Sequence, residues 1–312
     1  MAMSRVRRSL RVWGSLLLAA ALTGCVTVDL NGDAAVEDQR SGDVRVASFD
    51  FPESELLGEL LAQLLERAGV PVERRLGLGS REIVEPALRQ GVVDVVPEYL
   101  AAALEFDSLG RTPPPASAEQ AARDLTASMQ RDGVTELAYA PAVDRDAFAM
   151  RADRAAELGV STIRDLGPHA AELDFVGPPE CPERPACLPR LESDFGLRFR
   201  SFSAVPPGLS VALALESGEA DVGLMFTSDP LVFQHGLVLL RDEPGAERPE
   251  HVVPLIRNSV LERPGGEALV AEIDAAMRSL TTQELVELNA QVAIGRSVRS
   301  VAHHWLESLP TN

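Results

Sequence analysis

The sequence predicts an α/β protein of two similar lobes, with a ligand cleft between them and two crossovers that form a hinge. Three observations lead there. From Val44 onward, strand-like and helix-like segments alternate, an order that builds mostly parallel sheets. The run Ala87-Leu88-Arg89-Gln90-Gly91-Val92-Val93-Asp94-Val95 is echoed by Ala214-Leu215-Glu216-Ser217-Gly218-Glu219-Ala220-Asp221-Val222, at an offset of 127. Two apolar segments, around Ala138–Val143 and His251–Arg257, flank the second copy and carry the chain from one lobe to the other and back.

The elements follow in order. Val44-Arg45-Val46-Ala47-Ser48-Phe49 alternates as a strand does. Glu53 to Leu65 carries leucines at helical spacing, with acids in its first turn and Gly69 as its stop. Val70–Leu78 reads as a strand, Arg81–Gln90 as a helix and Val92–Val96 as a strand. The 127-residue offset also relates Gly69 to Gly196, Pro52-Glu53 to Pro179-Glu180, and Tyr99 to Phe226. Any α/β unit uses helix-Gly-strand punctuation, so single matches are cheap; an ungapped register over this length predicts two related lobes. Loops at the carboxyl ends of the strands would line the cleft, with Tyr99 and Phe226 on opposite walls. Asp146–Arg151 is expected to open the second copy. Thr281-Thr282-Gln283-Glu284 is a capping box. Val298, Val301, Trp305 and Leu309 lie near helical spacing and should pack on the first lobe. The expected boundaries are 44–143 with 252–312 for the first lobe and 144–251 for the second.

Residues 1–24 read as an address. Arg5, Arg7, Arg8 and Arg11 precede an apolar stretch, Val12 to Leu22, too short to span a membrane. It ends in Leu22-Thr23-Gly24-Cys25, which resembles a bacterial lipoprotein lipobox; the resemblance implies cleavage before Cys25 and acylation of its thiol. An ordinary signal peptide with a chance Cys is the alternative. Residues 25–43 are polar, with Asn31-Gly32-Asp33 and Ser41-Gly42-Asp43, and read as a flexible tether. If Cys25 carries lipid, two of the three cysteines remain, Cys181 and Cys187. They flank a short proline-bent loop, and an oxidising compartment would let them form a disulfide. A metal pair is the alternative, though no nearby His completes a ligand set.

The formal net charge of −18 argues against a nucleic-acid partner, whose phosphates such a surface repels. Every basic side chain except the five His is an Arg; there is no Lys to act as nucleophile, Schiff base or carboxylate anchor. Gly-x-Ser-x-Gly, His-Glu-x-x-His and Cys/His sets are all missing, so no enzyme chemistry, cofactor or metal is indicated.

Four segments then carry a family resemblance: Ser48-Phe49-Asp50-Phe51-Pro52-Glu53-Ser54-Glu55, Leu76-Gly77-Leu78-Gly79, Gly91-Val92-Val93-Asp94-Val95-Val96-Pro97-Glu98-Tyr99, and Phe226-Thr227-Ser228-Asp229-Pro230. From Val44 to about Leu309 the chain resembles the substrate-binding proteins of glycine betaine/carnitine/choline-type osmoprotectant ABC importers. The resemblance implies a type II periplasmic-binding-protein-like fold. It implies a monomeric solute-binding lipoprotein on the outer face of the bacterial cytoplasmic membrane, whose partners are a small solute and the ABC permease and ATPase subunits. The alternatives are a binding protein for a different small polar solute, or a surface sensor or scaffold without transport.

The sequence departs from the family where the ligand should sit. Phe49 stands at the usual basic position, Val96 and Leu100-Ala101-Ala102 replace most of a Tyr-Pro-Glu-Tyr-Thr-Gly-Thr segment, and Asp146 falls where a further cage tyrosine belongs. Only two Tyr are present in the chain. The expected ligand contacts are Tyr99, Phe226, Phe49, Asp146, Ser80 and Thr227. The rings would face a quaternary ammonium and Asp146 would offer a counter-charge, with an exposed loop acid as its alternative reading. Ser80 could aim helix N-terminal amides at a ligand or merely cap a turn. Arg81 and Arg145 could hold a ligand acid, but a solvated Arg is the preferred reading of each. Glu98 and Asp229 read as structural.

Overall fold

The computed structural model describes residues 42–111, 115–242 and 248–310. The expected leader, the Cys25 lipidation site and nearly all of the tether lie outside the described residues. In chain order the elements begin β1 (Val44–Phe49), α1 (Pro52–Arg67), β2 (Val72–Gly79), α2 (Arg81–Arg89), β3 (Val95–Tyr99), α3 (Leu100–Ser108), α4 (Ala118–Met129) and β4 (Val134–Glu136). Next come β5 (Asp146–Arg151), α5 (Ala152–Leu158), β6 (Asp174–Gly177), α6 (Leu188–Phe195), β7 (Ser201–Ala204), α7 (Leu209–Ser217), β8 (Val222–Phe226), α8 (Leu231–Gln234) and β9 (Leu237–Leu239). The chain closes with β10 (Val252–Arg257), α9 (Asn258–Leu261), α10 (Gly266–Ser279), α11 (Thr282–Ala293) and α12 (Val298–Ser308).

These strands form two five-stranded sheets of the same design, β2-β1-β3-β10-β4 and β7-β6-β8-β5-β9. In each, the first three strands are parallel, the fourth runs antiparallel to them, and the fifth pairs antiparallel with the fourth. This is the two-lobed type II periplasmic-binding-protein-like architecture. The internal echo survives in atomic detail. Gly69 and Gly196, and likewise Gly91 and Gly218, all adopt φ between 69° and 77°, a left-handed turn that ends a helix without a Cβ penalty. Asp94 accepts the Arg45 amide at 2.9 Å and returns its own amide to the Arg45 carbonyl at 2.8 Å. Asp221 makes the same exchange with Asp174, at 3.0 and 2.9 Å. Each Asp therefore pins the start of its strand to the neighbouring parallel strand.

Two expectations need correction. β3 begins at Val95 rather than Val92, because the Val92 and Val93 amides turn back to the Ala87 carbonyl and leave Val92 exposed. Asp146–Arg151 does not open the second copy. As β5 it holds the antiparallel place beside β8 that β10 holds beside β3, and the copy starts at β6.

The first lobe packs around α1. Leu56, Leu57, Leu60, Leu61, Leu64 and Leu65 are all buried, each stabilising the fold by roughly 1.5–3 kcal/mol. The helix is buried nearly all round because the sheet covers one side and α10, α11 and α12 the other. Gly58 permits the close approach: a Cβ there would lie 2.7 Å from Leu76 and 3.2 Å from Ser48. Val301 and Trp305 on α12 join this core, with Val298 and Leu309 packed against it, and the Thr281/Glu284 capping box opens α11. In the second lobe, Phe148 and Phe175 are fully buried on one side of the sheet, and Val211, Leu215 and Met225 form a cluster on the other.

The two crossovers run side by side. Val143 bridges His251 antiparallel, Asp144 donates its amide to the Glu250 carbonyl at 3.0 Å, and Val252 donates to Ala142 at 3.1 Å. A hydrogen-bonded pair of segments therefore joins the lobes, allowing them to bend about one line. Among the described residues no helix is long and apolar enough to cross a membrane.

Candidate functional site

The parallel strands of both sheets deliver their carboxyl ends to one cavity of about 350 Å3. Phe49 ends β1, Ser80 follows β2, Tyr99 ends β3, Pro178 follows β6 and Phe226 ends β8; all five line it. This is where an α/β sheet leaves its loops free to meet a ligand. Asp146 reaches the same place because β5 runs antiparallel to β8, so its first residue lies opposite Phe226.

Four aromatic rings converge here. Phe51, in the turn between β1 and α1, is the centre: it stacks on Phe49 at 6.0 Å, on Tyr99 at 6.4 Å and on Phe226 at 5.2 Å, with interplanar angles of 17° to 24°. Phe49 and Tyr99 are almost fully buried, whereas Phe51 and Phe226 are half-buried and keep ring surface toward the cavity. Sequence reasoning missed Phe51 as a contact. The signal was available, since it lies just past the carboxyl end of the first strand, where the same rule picked out Tyr99.

A buried polar network lies beside the rings and ties the lobes together. Glu53 on α1 accepts the Tyr99 hydroxyl at 2.7 Å on Oε1, and Ser228 Oγ and Asn289 Nδ2 on Oε2. Ser228 follows β8, while Asn289 sits on α11, so one carboxylate joins helices of the first lobe to a loop of the second. Asp144, on the crossover, accepts the Ser228 amide at 2.9 Å and the Thr227 hydroxyl at 3.2 Å. Burial, then the Glu53 charge, pushes the Asp144 carboxyl well above its ordinary range. The Tyr99 phenol is also raised, by burial and by Glu53, which keeps it a hydrogen-bond donor.

Charged groups complete the wall. The guanidinium of Arg81 is gripped by both Glu98 oxygens at 2.7 and 3.0 Å and lies over the Phe49 ring at 5.0 Å. The expectation of a solvated Arg81 is thus corrected: a wholly buried Glu98 recruits it inward. Glu250 takes the Ala102 amide at 2.9 Å and faces Arg248 at 3.1 Å; burial nevertheless raises its carboxyl to about 7.

Of the six expected ligand contacts, Tyr99, Phe226, Phe49, Asp146 and Ser80 line the cavity. Thr227 does not; it is exposed, and its hydroxyl is spent on Asp144 and on the Arg145 amide at 2.9 Å. Ser80 occupies the N-cap position of α2 without a side-chain capping bond. Cys181 and Cys187 form the expected disulfide, with Cα atoms 5.3 Å apart. Their loop supplies Glu183, Arg184, Pro185 and Ala186 to the cavity. Among the described residues no group of three or more His, Cys, Asp or Glu side chains is arranged to hold a metal ion.

A glycine betaine-binding protein of Escherichia coli K12, YehZ, is 26% identical over 311 residues, spanning 96% of this chain and 97% of its own. The ergothioneine transport permease/ergothioneine binding protein EgtU of Helicobacter pylori G27 is 25% identical over 308 residues; the match takes in 98% of this chain but 53% of that protein. Among solved structures, apo YehZ from Escherichia coli superposes with a TM-score of 0.61 at 24% identity, covering 86% of this chain and 98% of that one. A glycine betaine/carnitine/choline ABC transporter structure gives 0.65 at 20% identity, covering 85% and 98%. Residues 42–308 match the family described as the substrate binding domain of ABC-type glycine betaine transport systems. The chain therefore belongs to that family: it is a solute-binding protein of an ABC importer and not an enzyme.

Proposed function

We propose that the chain captures a small quaternary amine of the glycine betaine or choline type in the cavity between its lobes and presents it, closed, to an ABC permease and its ATPase. The observation that carries this reading is the convergence of Phe49, Phe51, Tyr99 and Phe226 from both lobes on one cavity. A quaternary ammonium offers no hydrogen-bond donor, so ring faces are its natural partners, each contact contributing roughly 0.5–2 kcal/mol. The names of the relatives, which bind glycine betaine, point the same way. In this reading Tyr99, Phe226, Phe49, Asp146 and Ser80 touch the ligand, joined by Phe51, while Thr227 acts through Asp144. The lobes are 44–143 with 252–312, and 144–251. A lipid on Cys25, after removal of residues 1–24, holds a monomer at the outer face of the bacterial cytoplasmic membrane.

A thermal-shift screen of compatible solutes and amines on the purified chain tests this. A quaternary amine should raise the melting temperature in a concentration-dependent way, by the mass action of binding to the folded form. Stabilisation by a neutral sugar or an ordinary amino acid, with none from quaternary amines, would contradict it and favour a different small polar solute.

A further inference from the structure

Asp146 and Phe226 are direct cross-strand partners in β5 and β8, so their side chains share one face of the sheet, with Cβ atoms about 5 Å apart. Both line the cavity. A carboxylate is thereby set beside a half-buried ring that lines the cavity. The cations of the wall are already committed. Arg81 is held bidentate by Glu98, and Arg184 is shared between Glu180 at 2.8 Å and Glu82 at 3.4 Å. Arg248, just behind, is divided between Glu105 at 2.9 Å and Glu250 at 3.1 Å, although the field of Asp146 also reaches it.

Eight carboxyl groups line the cavity beside two guanidinium groups, and even with Asp144 and Glu250 drawn toward the neutral form by burial the carboxylates outnumber these cations. Of these eight, Asp50, Asp144, Asp146 and Glu183 have no salt-bridge partner among the described residues. Asp144 is taken up by the Ser228 amide and the Thr227 hydroxyl, and burial pushes its carboxyl well above the ordinary range. Asp50 and Glu183 are exposed, and water screens them. Asp146 is half-buried, so its charge acts on the cavity with less screening. Lys, the remaining residue that could neutralise a ligand carboxylate, is missing from the chain.

We propose that Asp146 is the specificity-determining residue of the cleft, and that it makes the cleft select a small organic cation without a carboxylate over a zwitterion of similar size. The inference rests on the reading that the cleft holds a quaternary amine. A trimethylammonium head would sit against Phe226 and Phe51 with Asp146 as its counter-charge. The carboxylate of a betaine would have to enter a wall with a surplus of negative charge and no uncommitted cation, giving up its hydration without replacement.

Calorimetric titration of the full chain with choline, glycine betaine and 3,3-dimethylbutan-1-ol, the neutral isostere of choline, tests the proposal. Choline should bind at least about tenfold more tightly than glycine betaine, and the neutral isostere more weakly still. Asp146→Asn should weaken choline by about tenfold or more and bring the two quaternary amines within roughly threefold of each other. The wild-type ratio reads the selectivity even if the variant folds poorly. Glycine betaine binding as tightly as choline would overturn the inference while leaving the cleft reading intact. So would an isostere as tight as choline, or an Asp146→Asn variant with the wild-type ratio. Binding by no quaternary amine would overturn both.

Discussion

The ring of Phe51, from the turn ahead of α1, stacks on the ring of Phe226, at the end of β8, with centroids 5.2 Å apart. One residue belongs to the first sheet's side of the cavity and the other to the second's, so the stack reaches from lobe to lobe. Both rings are half-buried, and truncating either removes ligand surface without opening a large internal void. Phe51→Ala should weaken binding of a quaternary amine by more than about tenfold, or roughly 1.4 kcal/mol. Calorimetric titration beside urea unfolding checks this; an unchanged affinity would remove Phe51 from the site.

Tyr99 differs, because it is both cavity wall and core. Its hydroxyl donates to Glu53, whose other oxygen is already shared by Ser228 and Asn289. Tyr99→Phe leaves a buried carboxylate oxygen short of a donor and should destabilise the chain by about 1–3 kcal/mol. Tyr99→Ala should cost about 3–5 kcal/mol, since it adds a cavity. Denaturant midpoints of the two variants separate the contributions, and a Tyr99→Phe variant as stable as wild type would show that Glu53 does not depend on that bond.

How much of this was legible in the sequence can be seen from these residues. Tyr99 and Phe226 could be paired because the repeat register is ungapped and each ends a strand. Phe51 lacks an aromatic partner in the repeat, where Pro178 stands at its offset, so periodicity passed over it. The network of Glu53, Ser228, Asn289 and Asp144 draws on positions from 53 to 289, a separation that no local pattern spans. Two related lobes were readable because helix, glycine and strand recur at one offset. The roles of β5 and β10 were not, because each belongs by position to the lobe it enters and the pattern of alternation is the same either way.

Glu85, on α2, is fully buried and its Oε1 has no hydrogen-bond partner. Burial, then the Glu98 charge, raises its carboxyl to about 8 from the ordinary 4.5; Arg89 offsets this incompletely, being shared with Asp107 and Asp132. The folded chain thus keeps a proton that the unfolded chain has lost. Its contribution makes stability fall as the pH rises from about 4.5 to about 8 and level off above. Glu85→Gln should flatten that fall and stabilise the chain at pH values above the window. Melting temperatures across the range test it; an unaltered slope in the variant would contradict the assignment.

The disulfide closes a ring over a sequence separation of 6, within a loop that lines the cavity. A ring this short contributes at most about 2 kcal/mol through the unfolded chain. Its larger effect should be on the cleft. Arg184 on this loop approaches Glu82 of the first lobe, and a Cβ on Gly110 would lie 2.7 Å from Pro185. Cys181→Ser with Cys187→Ser should weaken ligand binding by more than the same variants lower stability. Loss of stability with full affinity would confine the bond to a packing role.

Cys25 is the acyl acceptor in the proposed anchoring. Cys25→Ala should abolish labelling by a lipid precursor and release the chain from the membrane fraction. A variant that still labels and sediments wholly with membranes would contradict the lipobox reading.

The central claim is that a small quaternary amine is held in the cavity against the rings that the two lobes contribute. Equilibrium dialysis of radiolabelled choline and glycine betaine against wild type and Phe226→Ala tests it most directly, with melting temperatures measured alongside. The account predicts saturable, one-site binding to wild type, weakened by more than about tenfold in the variant at nearly unchanged stability of the ligand-free chain. Saturable binding that Phe226→Ala leaves intact would put the ligand elsewhere and contradict the account.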